Sequence, residues 1–159
     1  MTTRTTHALL CVALAGAGCE RLPKSEQDAA VDVVRRNVRF LQEKKIDEMM
    51  ETIHPQSPAF APTRVSVTDL MKEYDLKCEL TSLDVIGAKK EEVRVRFEQT
   101  TERKIGEVIE PRTRLTGVHV LRKDGAEWKI FDTEIISADV IDPLPEEPEP
   151  TTEKEPGTP

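Results

Sequence analysis

The sequence has few of the residues from which disulfide-stapled, metal-binding or redox proteins are built. Its 159 residues include three cysteines, three histidines, one tryptophan and one tyrosine. Cys11 lies inside an apolar N-terminal run and Cys19 directly after it, so only Cys78 remains in the body of the chain. An exported protein with one such cysteine forms no internal disulfide. The histidines are too widely spread for a metal motif. We therefore expect a domain held by packing alone, with no metal and no cofactor.

The sequence also lacks an excess of positive charge. Its 23 Lys and Arg are outnumbered by 30 Asp and Glu, which gives a formal net charge of −7. Nucleic-acid binding needs a concentrated basic face. The basic clusters here, such as residues 35–39, are interrupted by neutral residues or followed by acids. This argues against a nucleic-acid partner.

The N-terminus has the three-part organisation of an export signal. Arg4 is the only charged residue before an uncharged run at residues 8–18, and the run ends in small residues. That order is typical of a secretory signal peptide, predicted at residues 1–18. The run is too short for a stable membrane span, which needs about 20 apolar residues.

The end of this leader resembles the lipobox of bacterial lipoproteins. The residues are Ala15-Gly16-Ala17-Gly18-Cys19, with Gly16 where the motif usually has leucine. The resemblance implies cleavage between Gly18 and Cys19, acylation of Cys19 by chains such as palmitate, and a lipid tether at residues 19–24. The protein would then be anchored in the cell envelope, with Glu20 favouring the outer membrane if the organism has one. Cleavage after Ala17 instead, which would release a soluble secreted or periplasmic protein, stays open.

The first half of the remaining chain has helical periodicity. Apolar residues at positions 31, 34, 38 and 41 form one stripe, and Ser25 is placed to cap the helix that carries them. A second short helix is predicted from the apolar positions 46, 49, 50 and 53. Three prolines at positions 55, 58 and 62 predict an irregular loop, after which Thr68 caps a third helical turn at residues 69–74.

From Leu76 onward the apolar period is two, which predicts strands. The apolar set changes parity near Thr81-Ser82, so a bulge is expected there. Residues 87–90 predict a turn, residues 93–97 a half-buried strand, and Gly106 a hairpin tip. Two last strands, residues 115–121 and 128–136, flank Asp124-Gly125, a strong two-residue turn signal that would place His119 near Phe131. Helices followed by a meander of about four strands make an α+β domain at residues 25–142.

Two stretches resemble the nuclear-transport-factor-2-like (NTF2-like) superfamily and its SnoaL-like members. Residues 40–55 resemble the family's helix, polar break, second helix and terminal His-Pro, and residues 118–130 its closing Asp-Gly hairpin followed by Trp-Lys-Ile. The resemblance implies a cone: a curved antiparallel sheet packed around N-terminal helices, with a cavity inside. In this superfamily the cavity serves isomerases, dehydratases and cyclases in some branches and binding in others, so the fold does not choose between them.

Few residues could give such a cavity chemistry. No catalytic residue is predicted; the candidates for lining the cavity are Tyr74, His119, Trp128 and Asp132. His54 is expected to cap the end of the second helix, and Cys78, between Leu76 and Leu80, to be a buried, inert thiol.

The last segment, residues 143–159, holds six prolines and five glutamates and is predicted to be a disordered tail. The function we expect is that of a membrane-anchored envelope lipoprotein that binds a small apolar ligand or an envelope protein without catalysis. The alternative is a small enzyme of the isomerase, dehydratase or cyclase type, and a homodimer is a further possibility.

Overall fold

The computed structural model describes residues 22–141, in which helices precede an antiparallel sheet. The sheet order is β1-β2-β4-β5, with the short β3 paired to the end of β2, so the long strands form a meander. The predicted α+β class, with curved antiparallel neighbours packed around the front helices, is confirmed. The elements are α1 (Lys24–Gln42), α2 (Ile46–Glu51), α3 (Phe60–Glu73), β1 (Asp75–Lys89), β2 (Glu92–Ile105), β3 (Val108–Ile109), β4 (Thr113–Asp124) and β5 (Glu127–Val140).

The start of α1 differs from the prediction. The helix begins at Lys24, and no side chain caps it, so the expected cap at Ser25 is wrong. The carbonyl of Pro23 instead accepts hydrogen bonds from the backbone N–H groups of Glu26 and Gln27, at 3.1 and 3.2 Å. Leu22, which precedes the proline, is buried in the core.

The end of α1 is closed by a Schellman motif. The N–H of Lys45 donates to the carbonyl of Phe40 at 2.9 Å, and the N–H of Lys44 to that of Leu41 at 3.3 Å. Lys44 takes the left-handed conformation, with φ of 56°, a position that glycine usually fills. Its ammonium group lies 2.6 Å from the carboxylate of Asp75, which links the end of α1 to the start of β1.

Helix α3 is longer than the sequence predicts. It begins at Phe60, where we expected an irregular loop, and Pro62 stands in its first turn. A proline is tolerated there because first-turn N–H groups have no partner within the helix. The side chain of Ser57 accepts from the N–H of Ala59 at 3.1 Å and so shapes the entry. The predicted cap at Thr68 is therefore wrong: this residue lies inside α3, where its hydroxyl donates to the carbonyl of Arg64.

The strand register confirms the predicted bulge and corrects two turns. The β1–β2 register shifts between Leu80 and Ser82, as the parity change indicated. A second shift lies between Val85 and Gly87, so β1 continues through the predicted turn and the chain reverses at residues 90–91. Between β4 and β5 the closing pair is Asp124–Glu127, which leaves Gly125 and Ala126 as the loop. The expected Asp124-Gly125 turn is thus displaced by one residue, and His119 faces Thr133 rather than Phe131.

The core has two parts. The larger lies between α1 and the sheet, and Val93, Val95 and Leu121 have no exposed surface in it. The smaller lies under α2, where Met49, Met50 and Ile53 meet Phe60 and Val67 of α3. The strand alternation at residues 93–97 is confirmed, since Val93, Val95 and Phe97 are all buried.

Trp128 ties the larger core to the start of α1, which gives a first testable prediction. Its indole N–H donates to the Glu26 carboxylate at 2.8 Å. Trp128→Phe removes this donor and also part of the buried aromatic system, and we expect a loss of about 2–3 kcal/mol in the free energy of unfolding. Urea denaturation would measure it. Glu26→Gln, which keeps an acceptor for the indole, should cost less; equal losses for the two variants would contradict this account.

Candidate functional site

A cavity of about 160 Å³ opens between the end of α1, the start of α3 and the concave face of the sheet. Its walls are mostly apolar; three of its polar side chains come from the two last strands, and one each from α1, from the loop before α3 and from α3. The lining residues are Asn37, Leu41, Met49, Ile53, Ser57, Ala59, Thr63, Val67, His119, Ile130, Phe131, Asp132 and Thr133.

His119 is the central polar residue of this cavity. It shares a face of β4 with Gly117 and with the fully buried Leu121, because side chains on a strand alternate between faces. Its ring stacks on that of Phe97, with centroids 4.3 Å apart and planes 15° from parallel. Its Nδ1 lies 2.8 Å from the hydroxyl oxygen of Thr133, on the neighbouring strand.

The surroundings of His119 keep its imidazole neutral. Burial lowers the pKa of His119 from 6.5 to about 4, because desolvation disfavours the charged ring. The hydrogen-bonding partner of Nδ1 is an uncharged hydroxyl, which does not offset this cost. At neutral pH the site therefore offers an uncharged ring that can accept or donate a hydrogen bond.

Gly117 creates the space in which this stack forms. A Cβ atom at this position would lie 2.8 Å from two ring atoms of Phe97 and 2.6 Å from the carbonyl oxygen of Glu134. Real Cβ atoms do not approach other atoms so closely, so any side chain here would displace the Phe97 ring or strand β5. The glycine thus sets the position of the ring against which His119 packs.

A bulge in β5 turns the cavity wall inward. Leu121 pairs with Ile130 but Val120 pairs with Asp132, so Phe131 is the extra residue of β5 at this point. The Phe131 ring packs edge-on against His54, with centroids 5.4 Å apart, and lies 4.0 Å under the Arg122 guanidinium. The extra residue changes the parity of β5 and brings Thr133 opposite His119. Bulges often redirect side chains next to functional sites.

Two of the four cavity candidates, His119 and Asp132, line the cavity, but they do not face each other. Thr133 stands opposite His119 and Asp132 opposite Val120, and both Asp132 and Thr133 are exposed. A carboxylate oxygen of Asp132 accepts from the backbone N–H of Thr133 at 2.8 Å. The cavity therefore brings a histidine and a threonine together rather than a histidine and a carboxylate.

The other two candidates lie elsewhere. Trp128 belongs to the larger core, beside α1, and Tyr74 follows the end of α3, with the Arg103 guanidinium 5.4 Å from its ring centroid. Burial, and after it the carboxylate of Glu110, raises the pKa of Tyr74. Neither residue is among those that line the cavity.

The sequence predicts that His54 caps the end of the second helix, and this prediction is wrong. The backbone N–H of Gln56 donates to its Nδ1 at 3.1 Å, so the ring proton lies on Nε2, which faces the carbonyl of Lys123 at 3.3 Å. The backbone N–H of His54 donates to the carbonyl of Ile130 at 2.8 Å. His54 therefore attaches the loop after α2 to the closing hairpin.

Sequence reasoning missed Thr133, Thr63, Ser57 and Asn37. The amide of Asn37 donates to the hydroxyl of Thr52 at 2.7 Å, which in turn donates to the carbonyl of Met49. An asparagine within the predicted apolar stripe of α1 was the available signal. The other three depend on the bulge and on the early start of α3, neither of which was predicted.

Cys78 is buried, as expected, and burial raises the pKa of its thiol. Gly18 and Cys19, the predicted cleavage and acylation sites, and the predicted tail at residues 143–159 lie outside the described residues. Over residues 22–141 no helix is long and apolar enough to cross a membrane. The same span shows no group of three or more side chains suited to holding a metal ion.

Comparison with solved structures supports the NTF2-like fold. A proposed aromatic ring hydroxylase from Novosphingobium aromaticivorans superimposes with a TM-score of 0.62 at 14% identity, covering 79% of this chain and 95% of that one. A ketosteroid isomerase-like protein from Erwinia carotovora atroseptica gives 0.56 at 13% identity, covering 72% and 99%. An NTF-2 like protein of unknown function from Shewanella oneidensis gives 0.52 at 10% identity, covering 69% and 98%. The predicted NTF2-like fold is confirmed, and at these identities the similarity concerns the fold alone.

Sequence comparison adds a family. No curated protein sequence matches the chain. A family model, described as the C-terminal domain of the anti-sigma-I factor RsgI9, matches residues 32–141, from the third turn of α1 through β5. Because this match spans more than half of the chain, the protein belongs to the RsgI9 C-terminal domain family, on an NTF2-like fold.

Proposed function

We propose that this protein is a lipid-anchored envelope protein whose domain binds a small, uncharged and mostly apolar ligand without transforming it. The observation that carries the proposal is the combination of an apolar cavity with a neutral histidine that has no carboxylate facing it. The family name supports the proposal, because it describes a domain of a regulatory factor and not an enzyme.

The arrangement around His119 is poorly suited to proton transfer. A general base works best when its pKa lies near the operating pH and a partner orients it. Burial takes the pKa of His119 to about 4, and the partner of its Nδ1 is the hydroxyl of Thr133. The nearby carboxylate of Asp132 is exposed and already accepts a backbone hydrogen bond.

The size and polarity of the cavity define the ligand. A volume of about 160 Å³ is close to that of engineered apolar cavities of roughly 150 Å³ that bind benzene. The hydroxyls of Ser57, Thr63 and Thr133 and the ring of His119 offer uncharged hydrogen-bonding groups, whereas the lining contains no lysine or arginine. A single ring with one hydroxyl or carbonyl group fits these walls, and an anion would meet no cation.

An enzyme of the isomerase, dehydratase or cyclase type is the second candidate. A neutral imidazole exposed to a cavity could accept a proton from a bound substrate, and several proteins with this fold carry enzyme names. Docking of an envelope protein at the cavity mouth is the other form of the binding role.

Phenol tests the ligand class directly. With the described domain, titration with phenol should shift the NMR signals of His119 and Thr133 and raise the melting temperature, because a ligand bound only to the folded state stabilises it. Thr63→Phe should abolish both effects, since the new ring occupies the cavity. Val65→Phe is the matched control: it is on the same helix but 63% exposed and outside the lining, and it should bind as the parent does. Equal binding by Thr63→Phe would contradict the site, and turnover of an added substrate would favour the enzyme.

The anchor needs its own test. Mass spectrometry of the mature protein should find Cys19 as an acylated N-terminus, and Cys19→Ala should move the protein from the membrane to the soluble fraction. Two or more acyl chains make anchoring stable, at about 0.8 kcal/mol for each buried methylene. An unmodified terminus at Gly18, or unchanged partitioning of Cys19→Ala, would contradict lipidation.

A further inference from the structure

The N-terminal end of the domain is fixed much closer to the anchor site than the sequence suggests. Leu22 is 7% exposed and packs in the larger core. Its carbonyl accepts from the side-chain amide of Gln27 at 2.7 Å. The chain is therefore held from Leu22 onward, and three residue steps separate Cys19 from a residue that cannot move independently of the domain.

Three steps of extended chain span at most about 11 Å. The headgroup layer on each side of a bilayer is itself about 6 Å thick. If Cys19 carries the acyl chains, as the proposed function states, most of this length is needed to cross the headgroup layer. The connection is then too short to hold the part of the domain around Leu22 well away from the headgroups.

The part of the molecule around Leu22 is one end of the domain. It consists of the first turn of α1 and the turns of the two long hairpins, β1–β2 and β4–β5. Glu26, in that first turn, lies 3.0 Å from the ammonium group of Lys123 beside the β4–β5 turn. The β1–β2 turn at residues 90–91 lies next to Val93, which packs in the same core cluster as Leu22. We call this surface the tether end.

The opposite end is far away. Helix α1 has 19 residues, or about 28 Å, and at its far end Lys44 pairs with Asp75 at the start of β1. Asp75 in turn pairs with Lys104 near the hairpin tip at Gly106. Strand β5 runs from the tether end toward this far end, where it finishes at Val140.

From this geometry we infer that the domain stands on the membrane through its tether end, in contact with lipid headgroups. The C-terminal end of β5 and the part of the cavity wall formed by Asn37 are then held on the aqueous side. Asn37 of the cavity wall is 13 residues along α1 from Lys24, about 20 Å at 1.5 Å per residue.

The tether end does not need lipid charge for this contact. Among residues 22–141, four charged residues at the tether end have no ion pair: Lys89, Lys90, Glu91 and Glu127. Two are positive and two are negative, and the other charges at this end are paired, so the charges at the tether end balance. Lys24, Lys123 and Lys129 are each paired with an acid. The short connection, and not electrostatic attraction, sets the orientation.

The test uses residues 19–159 coupled through the Cys19 thiol to a maleimide phospholipid in phosphatidylcholine vesicles. Cys78 is buried, with a raised pKa, and so does not compete for the reagent. Acetylation by an amine-reactive ester is then read by mass spectrometry. We expect several-fold slower modification of Lys90 on vesicles than in solution, and an unchanged rate at Lys77, an exposed lysine near the far end. The result should be the same with phosphatidylglycerol added.

An inserted segment of about 12 Gly and Ser residues after Cys19, with an end-to-end distance of about 18 Å, should restore the rate at Lys90. Equal protection of Lys77 and Lys90, or protection that survives the insertion, would overturn the orientation. Because the coupling is chemical, its outcome is independent of lipidation in the cell. An unmodified Cys19 in cells would refute the anchor alone.

Discussion

Gly117→Ala is expected to destabilise the protein by about 3 kcal/mol, the upper part of the range for overpacking a well-packed interior. The added Cβ would lie 2.6 Å from the carbonyl oxygen of Glu134 and 2.8 Å from the ring of Phe97. The first neighbour is backbone of the adjacent strand, and the second is a buried ring stacked on His119. Neither can move aside without breaking the β4–β5 pairing or the stack. Urea denaturation monitored by circular dichroism would measure the loss.

Gly87→Ala is the matched control for this substitution. Gly87 also lies within a long strand, beside a register shift, but the atom nearest to a Cβ added there is 3.7 Å away, on Arg94, an ordinary contact. Alanine there should change the free energy of unfolding by less than about 0.5 kcal/mol, as at most surface positions. Similar effects of the two substitutions would show that the loss at Gly117 is a general cost of alanine in strands and not a result of the Phe97–His119 stack.

The sheet could be predicted from the sequence because its signals are local and periodic. Val93, Val95 and Phe97 alternate with charged residues, and only one face of β2 can then be buried. The parity change at Thr81-Ser82 indicates a bulge, since a strand cannot keep one face buried across such a change without an extra residue. The prediction for the closing hairpin differs from the structure by one residue. The Asp-Gly dipeptide indicates that a turn occurs, but it does not indicate whether Asp124 itself still pairs with the opposite strand.

The cavity could be predicted only in part, because its wall depends on distant contacts. His119 is recognisable as a histidine on a predicted strand, but its true partner, Thr133, depends on the bulge at Phe131. The bulge is stabilised by His54 and Arg122, which come from elsewhere in the chain. Trp128 is a candidate for the cavity because it is a lone aromatic residue, whereas its bond to Glu26 holds it in the core. Residues that act through tertiary contacts leave little trace in local sequence.

The early start of α3 is a second feature that the local sequence does not predict. Three prolines in eight residues indicate a loop, and nothing in the local sequence opposes that interpretation. Pro62 nevertheless lies in the first turn of α3, where its missing N–H costs nothing. Without this turn Thr63 and Val67 would not reach the cavity, so an error in one helix start removed two lining residues from the prediction.

The stability of the protein is expected to fall by about 2 kcal/mol between pH 7.5 and pH 5 because of His119 alone. Its pKa in the folded state is about 4, and in the unfolded chain it is near the ordinary value of about 6.5. Above pH 6.5 both states are neutral and the group has no effect. Below it the unfolded state binds a proton that the folded state does not, so unfolding is favoured by about 1.4 kcal/mol per pH unit until pH 4.

The His119→Gln variant isolates this contribution, since glutamine does not titrate. The difference in unfolding free energy between the parent and this variant should change by about 2 kcal/mol between pH 7.5 and pH 5. Other shifted groups titrate outside this window: the lowered pKa values of Glu26, Glu43, Asp75 and Asp124 act below it, and the raised values of Lys45, Tyr74 and Cys78 act above it. NMR titration of the His119 ring gives an independent reading. A midpoint near 6.5, with a constant difference between the two proteins, would mean that the ring is solvated and the cavity wet, and the apolar-ligand proposal would then lose its main support.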